Sequence, residues 1–211
     1  MVFLWAFALG HANWTCRAGG DISEAPPTYT VTGATLAQVA LGFNQIDGNR
    51  VSAGQTVWQD TMVYEISYDV KVDASGSFTV TATPRKVKIT VQFVVTLPIW
   101  NPNDLNNADA AARNEWFRFL AALEAHENGH VNILKNANYK AYTTRISNVA
   151  ASRSSAKSLD DAKQDATVAI NSQAAQIRKQ MEMDLQTQSD AYDSKTNHGA
   201  TQGAILNTSI R

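Results

Sequence analysis

Cysteine is almost absent from this chain. One thiol, Cys16, in 211 residues excludes an intramolecular disulfide framework and any zinc site built on several thiolates. An excess of one charge is missing too. The 18 Lys and Arg stand against 19 Asp and Glu, so electrostatics point to neither nucleic acid nor an anionic membrane as partner. The longest N-terminal apolar run is too short for stable membrane insertion, which takes about 20 residues. Histidine is scarce as well, with four in the chain: His11, His126, His130 and His198. Apolar residues are plentiful, at 44%. That is ample for a core and excludes general disorder, and the length suits one domain of ordinary size, alone or with an appendage.

Residues 2–9 (Val-Phe-Leu-Trp-Ala-Phe-Ala-Leu) are apolar and lead into Gly10-His11-Ala12, a small-residue stretch like those before signal cleavage sites. A basic start and several residues of length are missing. We read residues 1–25 as the clipped end of an export signal plus a linker, which places the protein outside the cytoplasm, secreted or periplasmic. The competing reading is an apolar strand or helix packed on the core. Cys16 follows Asn13-Trp14-Thr15 rather than small apolar residues, so it is a stray thiol and not a lipid anchor.

Residues 26–211 form the domain proper, mainly β over 26–104 and mainly α over 105–211. Tyr29–Thr32 reads as a strand with Gly33 as its turn. Leu36, Val39, Ala40, Phe43 and Ile46 recur at helical spacing up to Asp47-Gly48-Asn49. From Trp58 to Val72 the even positions are apolar except Asp60, which is period two and a strand with one buried face. Asp73–Ser77 is a turn cluster. Phe78, Val80 and Ala82 resume the alternation, which passes after Pro84 to the odd positions Val87, Ile89, Val91, Phe93 and Val95. The spacing predicts an antiparallel sheet with one short helix, then two helices: one from about residue 106 to 150, one from Ser158 onward. Ser152-Arg153-Ser154-Ser155 is the expected break between them. The fold class is α+β.

His126-Glu127-Asn128-Gly129-His130 matches H-E-x-x-H. Residues four apart stand one turn apart on one helix face, so both imidazoles can reach a single metal ion, and the intervening Glu projects beside them to take a proton from an attacking water. Trp116, Leu120, Leu123, His130 and Leu134 share a stripe with His126 next to it, so both rings face the interior. A buried imidazole without a partner costs about 1–3 kcal/mol. Gly129, mid-helix, costs about 1 kcal/mol relative to Ala; a bare position suits close approach of a strand, loop or substrate.

A catalytic zinc commonly has three protein ligands. A metzincin extension would need Gly at 133 and His at 136, where this chain has Ile133 and Asn136. A gluzincin would need a downstream Glu, and Glu182 lacks the Asn-Glu frame. His198 remains. The return helix overshoots the motif by about 15 Å, so the chain after Asp193 must fold back sharply or a helix must bend.

H-E-x-x-H after an all-β segment ending in Leu97-Pro98-Ile99-Trp100, followed by Tyr192-Asp193-Ser194-Lys195-Thr196-Asn197-His198-Gly199 after a second helix, resembles a bacterial family described as predicted secreted zinc-dependent proteases. The resemblance spans roughly residues 28–202. It implies His126, His130 and His198 as zinc ligands, Glu127 as general base, and a peptide or protein substrate. Tyr192, Asp193 and Thr196 match its second motif. Tyr192 either donates to a developing oxyanion or packs at the end of the core stripe. Asp193 either orients a histidine ligand through its second ring nitrogen or caps the helix. Two other functions fit the same residues: a non-catalytic zinc-stabilised binding module of the envelope, and a zinc amidase acting on cell-wall peptides.

Overall fold

The computed structural model describes residues 16–17, 28–43, 53–155 and 158–210. The export-signal segment, Ile46 and the helix-ending Asp47-Gly48-Asn49 lie outside these.

Period two produces one long strand, β3 (Gln55–Val72), where the alternation predicts it. Asp73 then reverses the chain: its Oδ1 accepts from the N–H groups of Ser75 at 2.8 Å and Ser77 at 3.0 Å. β4 (Phe78–Trp100) returns beside β3. The shift of apolar residues from even to odd positions has its cause at Lys86, whose φ is 52°. One residue in the left-handed region moves the side-chain phase by one, as a β-bulge does, so Val80 and Ala82 are buried before it and Val91 and Phe93 after it.

β4 is the shared strand of the sheet. Its early half pairs antiparallel with β5 (Ala151–Ser155), Phe78 opposite Ser155 and Ala82 opposite Ala151. Its late half pairs antiparallel with β1 (Cys16–Arg17) and parallel with β2 (Thr28–Val31), Val31 opposite Trp100. The fold is α+β, a mixed but antiparallel-rich sheet in the N-terminal half and helices in the C-terminal half.

α1 (Leu36–Leu41) starts from a reciprocal cap between Thr35 and Gln38. The helix expected over residues 106–150 is three: α2 (Pro102–Asn107), α3 (Ala110–Asn136) and α4 (Tyr139–Ser147). Asparagine side chains open two of them: Asn101 caps α2 ahead of Pro102, and the Asn138 side-chain carbonyl accepts from the Ala141 N–H at 3.2 Å to open α4. The expected break at Ser152–Ser155 is strand β5. Its hydroxyls face those of β4, Ser154 on Thr79 at 2.9 Å and Ser152 on Thr81 at 2.7 Å. Serines read as turn formers in isolation become a strand when a hydroxyl-bearing partner lies opposite. α5 (Leu159–Thr196) opens as its capping spacing predicts, with Ser158 Oγ accepting from Asp161 N–H at 3.0 Å.

The chain divides into two compact units interleaved in sequence. The first takes residues up to Gln59, Gln92–Lys135 and Ala191 onward. Its core gathers Val31, Leu36, Val39, Trp100, Trp116, Phe119 and Leu123. Trp100 meets Trp116 edge-on at 5.8 Å and donates its indole N–H to Gly33 O at 2.9 Å. The second takes Asp60–Val91 and Asn136–Asp190, with its own core of Val80, Ala82, Ala162, Ala166 and Ile170. Among the described residues no helix is long and apolar enough to cross a membrane.

Candidate metal centre

All the chemistry-bearing residues lie in the first unit. His126 and His130 stand one turn apart on α3, ring centroids 4.9 Å apart, His126 buried and His130 nearly so. Their Nε2 atoms converge on one oxygen, Asp193 Oδ1, at 3.2 and 3.0 Å. Asp193 comes from the last turn of α5, and the three donor atoms lie within 4.8 Å of one another.

Gly129 is bare because Tyr192 fills its place: a Cβ there would collide with the Tyr192 hydroxyl and ring. The close approach expected at Gly129 is therefore made by a side chain of α5. The Tyr192 ring lies flat on His126 (5.2 Å, 14°) and edge-on to His130 (5.0 Å, 85°). Its hydroxyl stands 3.2 Å from His126 O and 3.0 Å from Gln202 Nε2.

Past Asp193 the chain folds back sharply. Asn197, His198 and Gly199 all have positive φ, at 49°, 51° and 82°. The His198 N–H donates to Asp193 O at 2.8 Å, and Thr196 Oγ1 accepts from Gly199 N–H at 3.3 Å. At 199 a side chain would meet both a left-handed backbone and His126 Cγ, 3.0 Å from the added Cβ. The reversal carries Gln202 onto His126, Oε1 to Nδ1 at 3.0 Å. His198 itself is more than half exposed, its Nδ1 3.9 Å from Asp193 Oδ2 and outside the converging group.

Glu127 is 4% exposed. Thr56 Oγ1 donates to its Oε2 at 2.7 Å, and a Cβ on Gly54 would stand 2.8 Å from its Oε1. Burial pushes the Glu127 carboxyl up to about 7, with the negative charge of Asp193 adding and the Thr56 hydrogen bond opposing.

The residues fit a divalent metal on their own hydrogen bonding. Tyr192 Oη lies 3.2 Å from both His126 O and Gln202 Oε1 and accepts from Gln202 Nε2 at 3.0 Å, and Gln202 Oε1 stands 3.0 Å from His126 Nδ1. With Nδ1 donating to that oxygen, Nε2 would direct a lone pair at a carboxylate oxygen 3.2 Å away. Two acceptors at that separation repel unless positive charge stands among them. Imidazole nitrogen and carboxylate oxygen are donors a zinc-like ion takes. The two His-to-Asp spacings, 3.2 and 3.0 Å, resemble the roughly 3.3 Å between ligands of a tetrahedral ion with bonds of about 2.0–2.1 Å.

Sequence reasoning brought His126 and His130 to one helix face with Glu127 beside it and named Asp193 for another role. It missed Gln202, Thr56 and Gly54, which sit outside both motifs and carried no pattern that marked them. A family model described as a bacterial protein of unknown function (DUF922) matches residues 27–199. No curated protein and no solved structure matches the chain.

Proposed function

The chain belongs to the DUF922 family of bacterial proteins, and we propose that it is a zinc-dependent metallopeptidase. The convergence of His126, His130 and Asp193 beside the buried Glu127 carries this reading. Zinc bound by these residues would supply Lewis acidity, polarising a carbonyl and making water more acidic.

The chain's own groups supply the proton handling. Thr56 holds Glu127 Oε2, which leaves Oε1 as the atom that takes a proton from the attacking water and hands it to the leaving amine. Gly54 keeps a side chain out of the space at Oε1. Burial raises the proton affinity of Glu127 to that of a base working near neutrality. Of the two roles considered for Tyr192, packing has the direct support: its ring covers His126 and its hydroxyl bonds within the protein. The substrate is a peptide or protein, and a secreted or periplasmic site of action goes with the apolar residues 2–9.

The third ligand has two candidates. Asp193 Oδ1 is favoured by its 3.0 and 3.2 Å contacts; His198 is favoured by the family motif and stands beside Asp193 Oδ2. Zinc titration of Asp193→Ala and His198→Ala separates them: the larger loss of affinity marks the ligand, and we expect it for Asp193. Glu127→Gln should bind one zinc ion per chain and lose at least about 100-fold in peptide hydrolysis. Retained hydrolysis would remove Glu127 as base. Stoichiometric zinc with no turnover of a broad peptide library by the wild type would favour the non-catalytic module.

A further inference from the structure

We propose that Gln202 is a positioning residue for the metal centre. Its side-chain oxygen selects the His126 tautomer protonated at Nδ1 and so points the Nε2 lone pair at the metal. This rests on the reading of His126 as a ligand. Gln202 lies beyond the residues matched by the family.

Two groups approach His126 Nδ1: Gln202 Oε1 at 3.0 Å and Thr196 Oγ1 at 3.5 Å. The second is too long for a strong bond, and Thr196 already donates to Tyr192 O at 2.9 Å. Gln202 is therefore the partner of the ring. Its amide meets Tyr192 through both ends, Nε2 donating to Tyr192 Oη at 3.0 Å and Oε1 standing 3.2 Å from that hydroxyl, which also lies 3.2 Å from His126 O. The circuit runs from the His126 ring through Gln202 and Tyr192 back to the His126 backbone.

The backbone of Gln202 is held on both sides. Before it stands the reversal at Asn197–Gly199. After it, Arg118 donates through Nη1 to Gly203 O at 2.7 Å and through Nη2 to Ile205 O at 2.6 Å. Arg118 belongs to α3, the helix that carries the two histidines. Partners on the second nitrogen of a ligating histidine fix its tautomer, and their loss typically costs 10- to 100-fold in metal affinity.

The test compares Gln202→Met, which keeps the bulk and removes the acceptor, with Gln202→Glu, which keeps the acceptor. Zinc affinity is read by competition with a chromophoric chelator. The His126 tautomer is read by ¹⁵N NMR of the metal-free chain at about pH 8, where a free imidazole is neutral. Gln202→Met should weaken zinc binding about 10- to 100-fold and move the His126 proton toward Nε2, while Gln202→Glu stays near wild type in both. Tyr192→Phe, which removes the hydroxyl that both ends of the amide meet, should move the tautomer in the same direction and serves if the methionine variant does not fold. Wild-type zinc affinity with an unchanged tautomer in Gln202→Met, or in Tyr192→Phe where that stands in, would overturn the proposal. Should the wild type bind no zinc, the metallopeptidase reading falls, and the tautomer comparison still decides the role of Gln202.

Discussion

At position 129 a single methyl group decides between two opposite outcomes. In an ordinary exposed helix interior, Gly→Ala stabilises by about 1 kcal/mol. Here the added carbon would land on the Tyr192 hydroxyl and ring, and overpacking of this kind costs about 1–3 kcal/mol. Gly129→Ala should therefore lower stability in urea denaturation and weaken zinc binding, because Tyr192 must leave the His126 ring. In a Tyr192→Ala background the same substitution should recover its ordinary stabilising sign. The sequence marks Gly129 as anomalous, since a helix rarely gains from glycine in its middle. It says nothing of Tyr192 as the cause, because a ring arriving from 63 positions downstream leaves no trace in the periodicity of α3.

Between elements, the C-terminal segment is fastened to α3 through one ion pair, its Glu115 buried and its Arg118 half exposed. Glu115 accepts from Arg118 Nε and Nη2, both at 2.7 Å, and from the Asn207 N–H at 2.7 Å. The Arg118 hydrogen bonds hold the Glu115 carboxyl below the usual carboxylate range, against the opposing effect of burial and with help from Asn207. A carboxyl lowered in the folded state stabilises above its unfolded pKa and loses that contribution as pH falls through the folded value. Glu115→Gln should cost about 1.5–3 kcal/mol at neutral pH. It should also flatten the acid limb of the stability profile as pH falls below the ordinary carboxylate range, read by urea denaturation at stepped pH. A flat acid limb in the wild type would remove this contribution from the account. The helices themselves were legible from apolar spacing; their divisions were less so. Asn138 divides α3 from α4 by capping, a side-chain choice that a three/four apolar count does not register.

On the scale of the whole molecule, the candidate metal centre His126, His130 and Asp193 joins α3 to the end of α5 within one of the two units. A ligand that binds only the folded form stabilises it by about 4 kcal/mol at a thousandfold excess over its dissociation constant. Zinc at that excess should raise the unfolding temperature of the metal-free wild type, and a chelator should reverse the rise. Neither should move His126→Ala, as scanning calorimetry would show; an equal response in both would place the stabilising ion elsewhere. The strand alternation of β3, its phase shift along β4 and the His126/His130 pair were determined by the sequence alone. Each is a relation between residues close enough in the chain to share one element, where helical or strand period sets direction. The identity of the oxygen that meets both imidazoles, the partner of His126 Nδ1 and the turning of Ser152–Ser155 into a strand were decided by tertiary structure. Those contacts join residues 63 to 77 positions apart. Their geometry depends on where a reversal such as Asn197–Gly199 turns the chain and on which side chains then face one another.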